Sequence, residues 1–314
     1  MSQLPIVLAD LPVCRTFTRL ARDRVQLVPW ESVGQIPRPD IVGIYTYGHP
    51  RVDASLLDRL PQLRVISNFG VGVDHIDLDL ARARAIPVGY TPDLVSAATA
   101  DMAFALLLAA GRRLVEGDYY ARSKQFTRYD PSYMLGFEVH GATLGIFGLG
   151  RIGREVAKRA RGFDMTILYH NRNRLPEAEA ALGARYVSKN TLLAEADYVV
   201  LCVPLTDETR GLIGKSELAM MRPTSILVNV SRGPVVDTEA LTQALIHREI
   251  YAAALDVTDP EPLPRDHLLL RLPNVILTPH LGSATEQTRR QMAERAFANL
   301  LAGLNGEPLL DRVV

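Results

Sequence analysis

Three side chains in the second half of the chain could carry proton and anion chemistry together: Arg232, Glu261 and His280. Each comes just after a short apolar run that reads as a strand. Arg232 follows Leu227-Val228-Asn229-Val230-Ser231, Glu261 lies in Asp256-Val257-Thr258-Asp259-Pro260-Glu261-Pro262, and His280 follows Thr278-Pro279. Open α/β sheets bind ligands outside the carboxyl ends of their strands, so these residues can converge on one crevice. A histidine can supply a proton near neutral pH. A carboxylate beside it fixes the tautomer and favours the charged imidazolium. An arginine holds a substrate carboxylate through paired hydrogen bonds and polarises the adjacent carbonyl. Together they suit reduction of a 2-keto acid, which needs a hydride at carbon and a proton on oxygen. Taken singly, each has a structural reading: a capping arginine, a loop glutamate, a core histidine.

A hydride needs a donor, and the chain carries a turn able to bind one. The G-x-G-x-x-G of Gly148, Gly150 and Gly153 lies between an apolar run ending in Gly145-Ile146-Phe147 and a helical pattern with Ile152, Val156 and Ala160 on one face. That strand-to-helix context makes the motif informative for a dinucleotide. Gly148 permits the turn, Gly150 lets backbone approach a pyrophosphate, and Gly153 lets the helix pack on the strand. The helix N-terminus adds free N–H groups and the positive dipole end. The other reading is a glycine-rich loop in some other α/β protein.

The next strand, Thr166-Ile167-Leu168-Tyr169, ends in His170-Asn171-Arg172-Asn173-Arg174. An NAD site places an acid here to accept from the ribose 2′-OH. The position holds Asn171, and Arg172 and Arg174 are available to a 2′-phosphate. NADP(H) is therefore expected in preference to NAD(H). If the arginines are only solvated surface charges, the site is indifferent.

The rest of the chain must position these groups. Its 314 residues suggest about two domains, and 47% hydrophobic with 22% charged residues is an ordinary globular composition. Lys+Arg and Asp+Glu both number 35, which gives no electrostatic footprint for nucleic acid or an anionic membrane. No apolar run has transmembrane length and no signal peptide is seen, so no membrane association is expected. Cys14 and Cys202 fit no metal-ligand spacing; no metal and a cytoplasmic location are expected. Strands are read at Ile6–Ala9, Val25–Val28, Ile41–Tyr45 and Val65–Ser67, with a helix at Asp53–Leu60. Two glycines in Gly70-Val71-Gly72-Val73-Asp74 then mark either a ligand loop or a simple turn. Residues 94–114 form a helix apolar almost all round, hence buried, with a place between two domains expected. Residues 115–140 carry Tyr119, Tyr120, Phe126, Tyr129, Tyr133 and Phe137 without periodicity, which reads as a subunit contact or as a loop folded back on its own domain. Later strands are read at Met165–Tyr169, Tyr198–Val203, Ser225–Val230, Ala252–Val257 and Val275–Thr278, with a helix at Thr238–His247. A last helix, about Ala284–Leu304, puts Met292, Ala296, Leu300 and Leu304 on one face and is expected to return to the first domain.

With these motifs assembled, the chain resembles the D-isomer-specific 2-hydroxyacid dehydrogenases over nearly its whole length. The resemblance is carried by Gly70–Asp74, Leu144–Gly153, Val203-Pro204-Leu205-Thr206, Asn229–Gly233, Leu255–Val257 through Glu261-Pro262, and Thr278–Ser283. Within the family it looks most like the NADPH-dependent glyoxylate/hydroxypyruvate reductases, including members that reduce hydroxyphenylpyruvate. The resemblance implies an α/β fold of two doubly wound parallel-sheet domains, a Rossmann cofactor domain inserted in a flavodoxin-like substrate domain. Residues 1–97 plus 283–314 would form the substrate-binding domain and 98–282 the NADP-binding domain. Arg232, Glu261 and His280 would be the catalytic set. The cofactor would meet Gly148, Leu149, Gly150, Arg151, Ile152 and Gly153, then Asn171, Arg172 and Arg174. Cys202, Val203, Pro204, Thr209, Val230, Ser231, Asp256, Thr99 and Gly282 complete that set, with Asp256 at the nicotinamide amide. Substrate would meet Tyr47, Gly48 and the N–H groups of Val71 and Gly72. Tyr45 and His49 could wall the pocket further out, with Met134 and Leu135 reaching it from a partner subunit. A homodimer is implied. Asp101 stands where many members carry Glu. Glu261 argues against formate dehydrogenases, which pair the histidine with Gln; the chain's end at Val314 argues against the long phosphoglycerate dehydrogenases. A dinucleotide-sensing regulator on the same fold is the alternative of another class.

Overall fold

The computed structural model describes residues 3–48 and 50–314; His49 lies outside the described residues. The chain forms two compact units, Met1–Val95 with Ala284–Val314, and Ser96–Ser283.

The first unit is a parallel sheet of β1 (Ile6–Ala9), β2 (Gln26–Pro29), β3 (Ile41–Thr46), β4 (Val65–Asn68) and β5 (Val88–Gly89). Its order, β2-β1-β3-β4-β5, is the flavodoxin order. Parallel strands need crossovers and are buried on both faces, which is why they appear as continuous apolar runs. One face packs Val7, Ala9, Tyr45 and Val65 against Phe17 and the long helix Glu286–Asn305. That helix buries Met292, Ala296, Leu300 and Leu304, and Ser67 Oγ donates to its Ala296 carbonyl at 2.7 Å. Thr285 caps it, its hydroxyl accepting from Thr288 N at 3.1 Å. The helix belongs to this unit although nearly two hundred residues separate it from β5. The other face holds Leu8, Ile44, Ile66 and Val88.

Tyr45 corrects one expectation. It is not a pocket wall but a core residue, 1% exposed, with its ring 3.8 Å from Phe17 and 6.1 Å from Phe69. Strand alternation decides this: Tyr45 shares the helix-covered face.

The second unit is a seven-stranded parallel sheet of β6 (Thr143–Phe147), β7 (Thr166–His170), β8 (Ala184–Tyr186), β9 (Tyr198–Leu201), β10 (Ile226–Asn229), β11 (Ala252–Leu255) and β12 (Val275–Leu277). The order is β12-β11-β10-β9-β6-β7-β8, so the winding reverses between β6 and β9, the Rossmann arrangement with one strand added. Strands β9, β10 and β11 are buried at every position. The helix Ser96–Gly111 is buried along most of its length and packs on the helix Arg151–Arg161 and on β10 to β12. Asp101 ties the same pair of helices, accepting from Arg159 Nε at 2.7 Å.

Residues 115–140 are not irregular throughout: Leu114–Arg122 is a helix. None of its residues is buried, so no apolar period marks it; ion pairs Arg113–Glu116 and Asp118–Arg122 brace it instead. Tyr120 packs against Phe126 at 5.4 Å and Tyr133 at 4.9 Å, while Phe137 meets Tyr251 edge-on at 4.7 Å. Tyr119 and Tyr129 stay exposed at 74% and 80%. Among the described residues no helix is long and apolar enough to cross a membrane.

Candidate active site

Strands β10, β11 and β12 are neighbours, and the loops after their carboxyl ends carry Arg232, Glu261 and His280. The structure brings the three together. His280 Nδ1 lies 2.8 Å from Glu261 Oε1. Burial pushes the Glu261 carboxyl up, but the hydrogen bond and charge of His280, the N–H of Thr258 and the charge of Arg232 outweigh it, and the net shift is downward. An ionised carboxylate only accepts, so Nδ1 carries the hydrogen in this pair and Nε2 faces elsewhere as the exchangeable nitrogen. The pair is part-exposed, with side chains 47% and 37% accessible.

Three local devices hold this set. Asn229 ends β10 and is 1% exposed; its Oδ1 accepts from Ser231 N at 3.0 Å and Ser231 Oγ at 2.8 Å. Its Nδ2 donates to the Arg232 carbonyl at 2.9 Å, folding the turn that aims Arg232. Gly233 then packs on the next loop so tightly that a Cβ would sit 1.9 Å from the Thr258 carbonyl oxygen. Asp256, 2% exposed, gathers the His280 loop: Oδ1 accepts from Thr278 Oγ1 at 2.6 Å and Leu281 N at 2.7 Å, and Oδ2 from Gly282 N at 2.7 Å. Its own carbonyl accepts His280 N at 2.9 Å. His280 sits at φ +54°, a region that L residues enter only when the surroundings fix them there. The sequence suggests none of these holding roles, because a buried Asn or Asp shows its partners only in three dimensions.

The glycine turn follows β6. Gly148 has φ +94°, and a Cβ there would lie 2.8 Å from the Cys202 carbonyl oxygen, so β6 and the β9 loop can meet only through glycine. At Gly153 a Cβ would lie 2.1 Å from the Gly148 carbonyl. A Cβ at Gly150 would meet nothing within 4 Å, so the backbone is open where a pyrophosphate would approach. Gly150 caps the helix Arg151–Arg161 without a side-chain cap, leaving Arg151, Ile152 and Gly153 to present first-turn N–H groups. These features fit a dinucleotide.

Asn171 reaches back into this turn, Oδ1 accepting from the buried Leu149 N at 2.7 Å. Among the described residues its Nδ2 has no acceptor, so it can donate to a ligand oxygen. Arg172 is exposed beside it, and its charge draws the Glu208 carboxyl down behind the stronger effect of the Thr206 hydroxyl. Arg174 stands differently. It is bound to Glu179 by two hydrogen bonds, Nε to Oε1 and Nη2 to Oε2, both 2.8 Å. Tyr169 Oη donates to Glu179 Oε1 at 2.7 Å, and these partners bring the carboxyl down to about 2.

Cys202 follows β9 at the winding reversal, where burial pushes its thiol up to about 12. Val203 and Pro204 come next, and Thr209 Oγ1 closes their loop by donating to the Pro204 carbonyl at 2.6 Å. Val230 and Ser231 are buried after β10. Thr99 is buried beneath Gly282, whose Cβ would lie 3.3 Å from its methyl. In the first unit, Tyr47 N lies 3.5 Å from Asp10 Oδ2, Gly48 has φ +119°, and Val71 and Gly72 are partly exposed after β4.

Residues 104–282 match the model of the D-isomer specific 2-hydroxyacid dehydrogenase NAD binding domain. The glyoxylate reductase of Thermococcus kodakarensis is 45% identical over 299 residues, covering 92% of this chain and 90% of that one. A crystal structure from Thermus thermophilus superposes with TM-score 0.89 at 42% identity, covering 98% of this chain and all of that one. The NADPH-dependent glyoxylate/hydroxypyruvate reductase of Sinorhizobium meliloti, solved in complex with NADP and malonate, gives TM-score 0.90 at 31% identity over 99% of this chain and 97% of that one. A cofactor fingerprint at the reversal of a seven-stranded sheet and these matches lead to one conclusion: the chain belongs to the D-isomer specific 2-hydroxyacid dehydrogenase family.

Proposed function

We propose that the protein uses NADPH to reduce glyoxylate to glycolate, and hydroxypyruvate with it to the D-2-hydroxy acid. The observation that carries this reading is the 2.8 Å His280–Glu261 pair with Arg232 near enough to bias it electrostatically. The residues at the glycine turn fit a dinucleotide, which supplies the hydride when bound. Arg232 pairs with the substrate carboxylate and draws density from the keto carbonyl. The family resemblance assigns the amides of Val71 and Gly72, in the first unit, to substrate binding as well. His280, protonated, donates from Nε2 to the carbonyl oxygen as the carbon is reduced. Glu261 holds the tautomer and stabilises the imidazolium. Its lowered pKa favours the ionised form.

Arg172 and the Nδ2 of Asn171 support preference for NADPH, since an acid would repel a 2′-phosphate there. Glu179 moderates that preference by engaging Arg174. A homodimer is favoured by Leu114, Val115, Tyr119, Phe126, Tyr129, Tyr133 and Leu135, a run of exposed large apolar side chains along one stretch. Free thiols at Cys14 and Cys202 suit a reducing cytoplasm.

The test is cofactor oxidation with glyoxylate, hydroxypyruvate, pyruvate and 4-hydroxyphenylpyruvate, each with NADPH and NADH. Fast turnover of the two small acids with NADPH supports the proposal. Turnover of the aryl acid alone makes the protein an aryl-pyruvate reductase with the same mechanism. Tight NADPH binding without turnover makes it a dinucleotide sensor.

A further inference from the structure

We infer that Asn68 is a positioning residue that turns the backbone amides after β4 outward, toward an anionic ligand. The inference rests on the reading that this loop binds the substrate carboxylate. Asn68 is the last residue of β4 and is 1% exposed. Its Nδ2 donates to two carbonyls of the same loop, Gly70 at 3.0 Å and Gly72 at 2.9 Å. Thr91 N adds a second bond to the Gly70 carbonyl at 3.0 Å. A trans peptide places its C=O and N–H on opposite sides. Drawing the Gly70 and Gly72 carbonyls toward Asn68 therefore turns the N–H groups of Val71 and Val73 away from it. No acceptor among the described residues takes the N–H of Val71, Gly72 or Val73. Successive free N–H groups of this kind make a concavity that suits an anion.

The amide is held by its donor side. Asn68 Oδ1 has no partner among the described residues, and neither has Thr46 Oγ1, in register with it on β3. Exchanging oxygen and nitrogen would set Oδ1 against two carbonyl oxygens, so the loop itself fixes the orientation. A buried acceptor without a partner is costly. An apolar side chain would avoid that cost; what it could not supply is one nitrogen gripping two carbonyls.

Asn68→Asp tests this, because it keeps the shape and replaces both donors with acceptors. At about pH 8 the KM for glyoxylate should rise at least about tenfold, the scale of a lost hydrogen bond to a charged group. The KM for NADPH should stay within about twofold of wild type. Burial and two facing carbonyls raise the pKa of the new carboxyl. On lowering the pH to about 5.5 it should protonate, regain one donor and bring KM back toward wild type. Asp74 and His75 in the same loop and Asp93 beyond β5 are common to both proteins, so the ratio of variant to wild type isolates the new group. Asn68→Leu should show the raised KM without the recovery, and it carries the KM test alone if the first variant does not fold. A wild-type KM in either variant, or a raised KM in Asn68→Asp that acid does not restore, overturns the inference. Failure of the underlying reading looks different: wild type itself then turns over no 2-keto acid.

Discussion

At the scale of single residues, the chemistry is readable but its support is not. Arg232, Glu261 and His280 follow strand-like runs, and their types name a proton donor, its partner and an anion holder. What sequence withholds is which side chains hold them: Asn229 and Asp256 work through hydrogen bonds to backbone that no spacing reveals. Glu179 is a second case. Five residues beyond Arg174, it takes the Nε–Nη2 edge of that guanidinium and leaves Arg172 as the less encumbered cation at the ribose end. Glu179→Gln should remove the opposing charge while keeping an acceptor for Tyr169. The NADPH to NADH ratio of kcat/KM should rise about threefold to tenfold, the range for one charge removed at a solvent-exposed site. A fall in that ratio would mean instead that Glu179 holds Arg174 ready for the phosphate.

At the scale of elements, what packs on two faces is legible. The parallel strands are continuous apolar runs, and the helix Ser96–Gly111 is apolar around its circumference because it is covered on most sides. Elements that are very short or little buried escape notice. Two-residue β5 and three-residue β8 are too short for a period, and Leu114–Arg122 is held by ion pairs and buries nothing. The place of Tyr45 at the end of an apolar run suggests a pocket wall, and only the pairing of strands shows which face it takes. Close approach between elements is also hidden. Gly233 lets the loop after β10 lie against the loop after β11, and so sets Arg232 beside Glu261. Gly233→Ala should separate these loops by close to an ångström and lower kcat/KM about a hundredfold, with cofactor affinity changed far less. Activity near wild type in that variant would show that the loops can yield without cost to the site.

At the scale of the whole molecule, two sheets of different winding share one chain, and the last helix closes the unit that the first strands opened. The exposed aromatic stretch is the feature that a monomer would leave unexplained. Sedimentation should give twice the monomer mass for wild type and the monomer mass for Tyr119→Glu combined with Tyr129→Glu. A monomeric wild type, or a variant that stays dimeric, would contradict that assignment. In the proposed reaction His280 gives its proton to a 2-keto acid as NADPH reduces it. The most direct test of this step is NADPH oxidation with glyoxylate by wild type and His280→Ala side by side. Wild type should turn over, and kcat should be lower by a factor of about 10² to 10⁴ in the variant, the usual worth of a general acid. Equal rates in the two proteins, or no turnover by wild type despite bound NADPH, would contradict it.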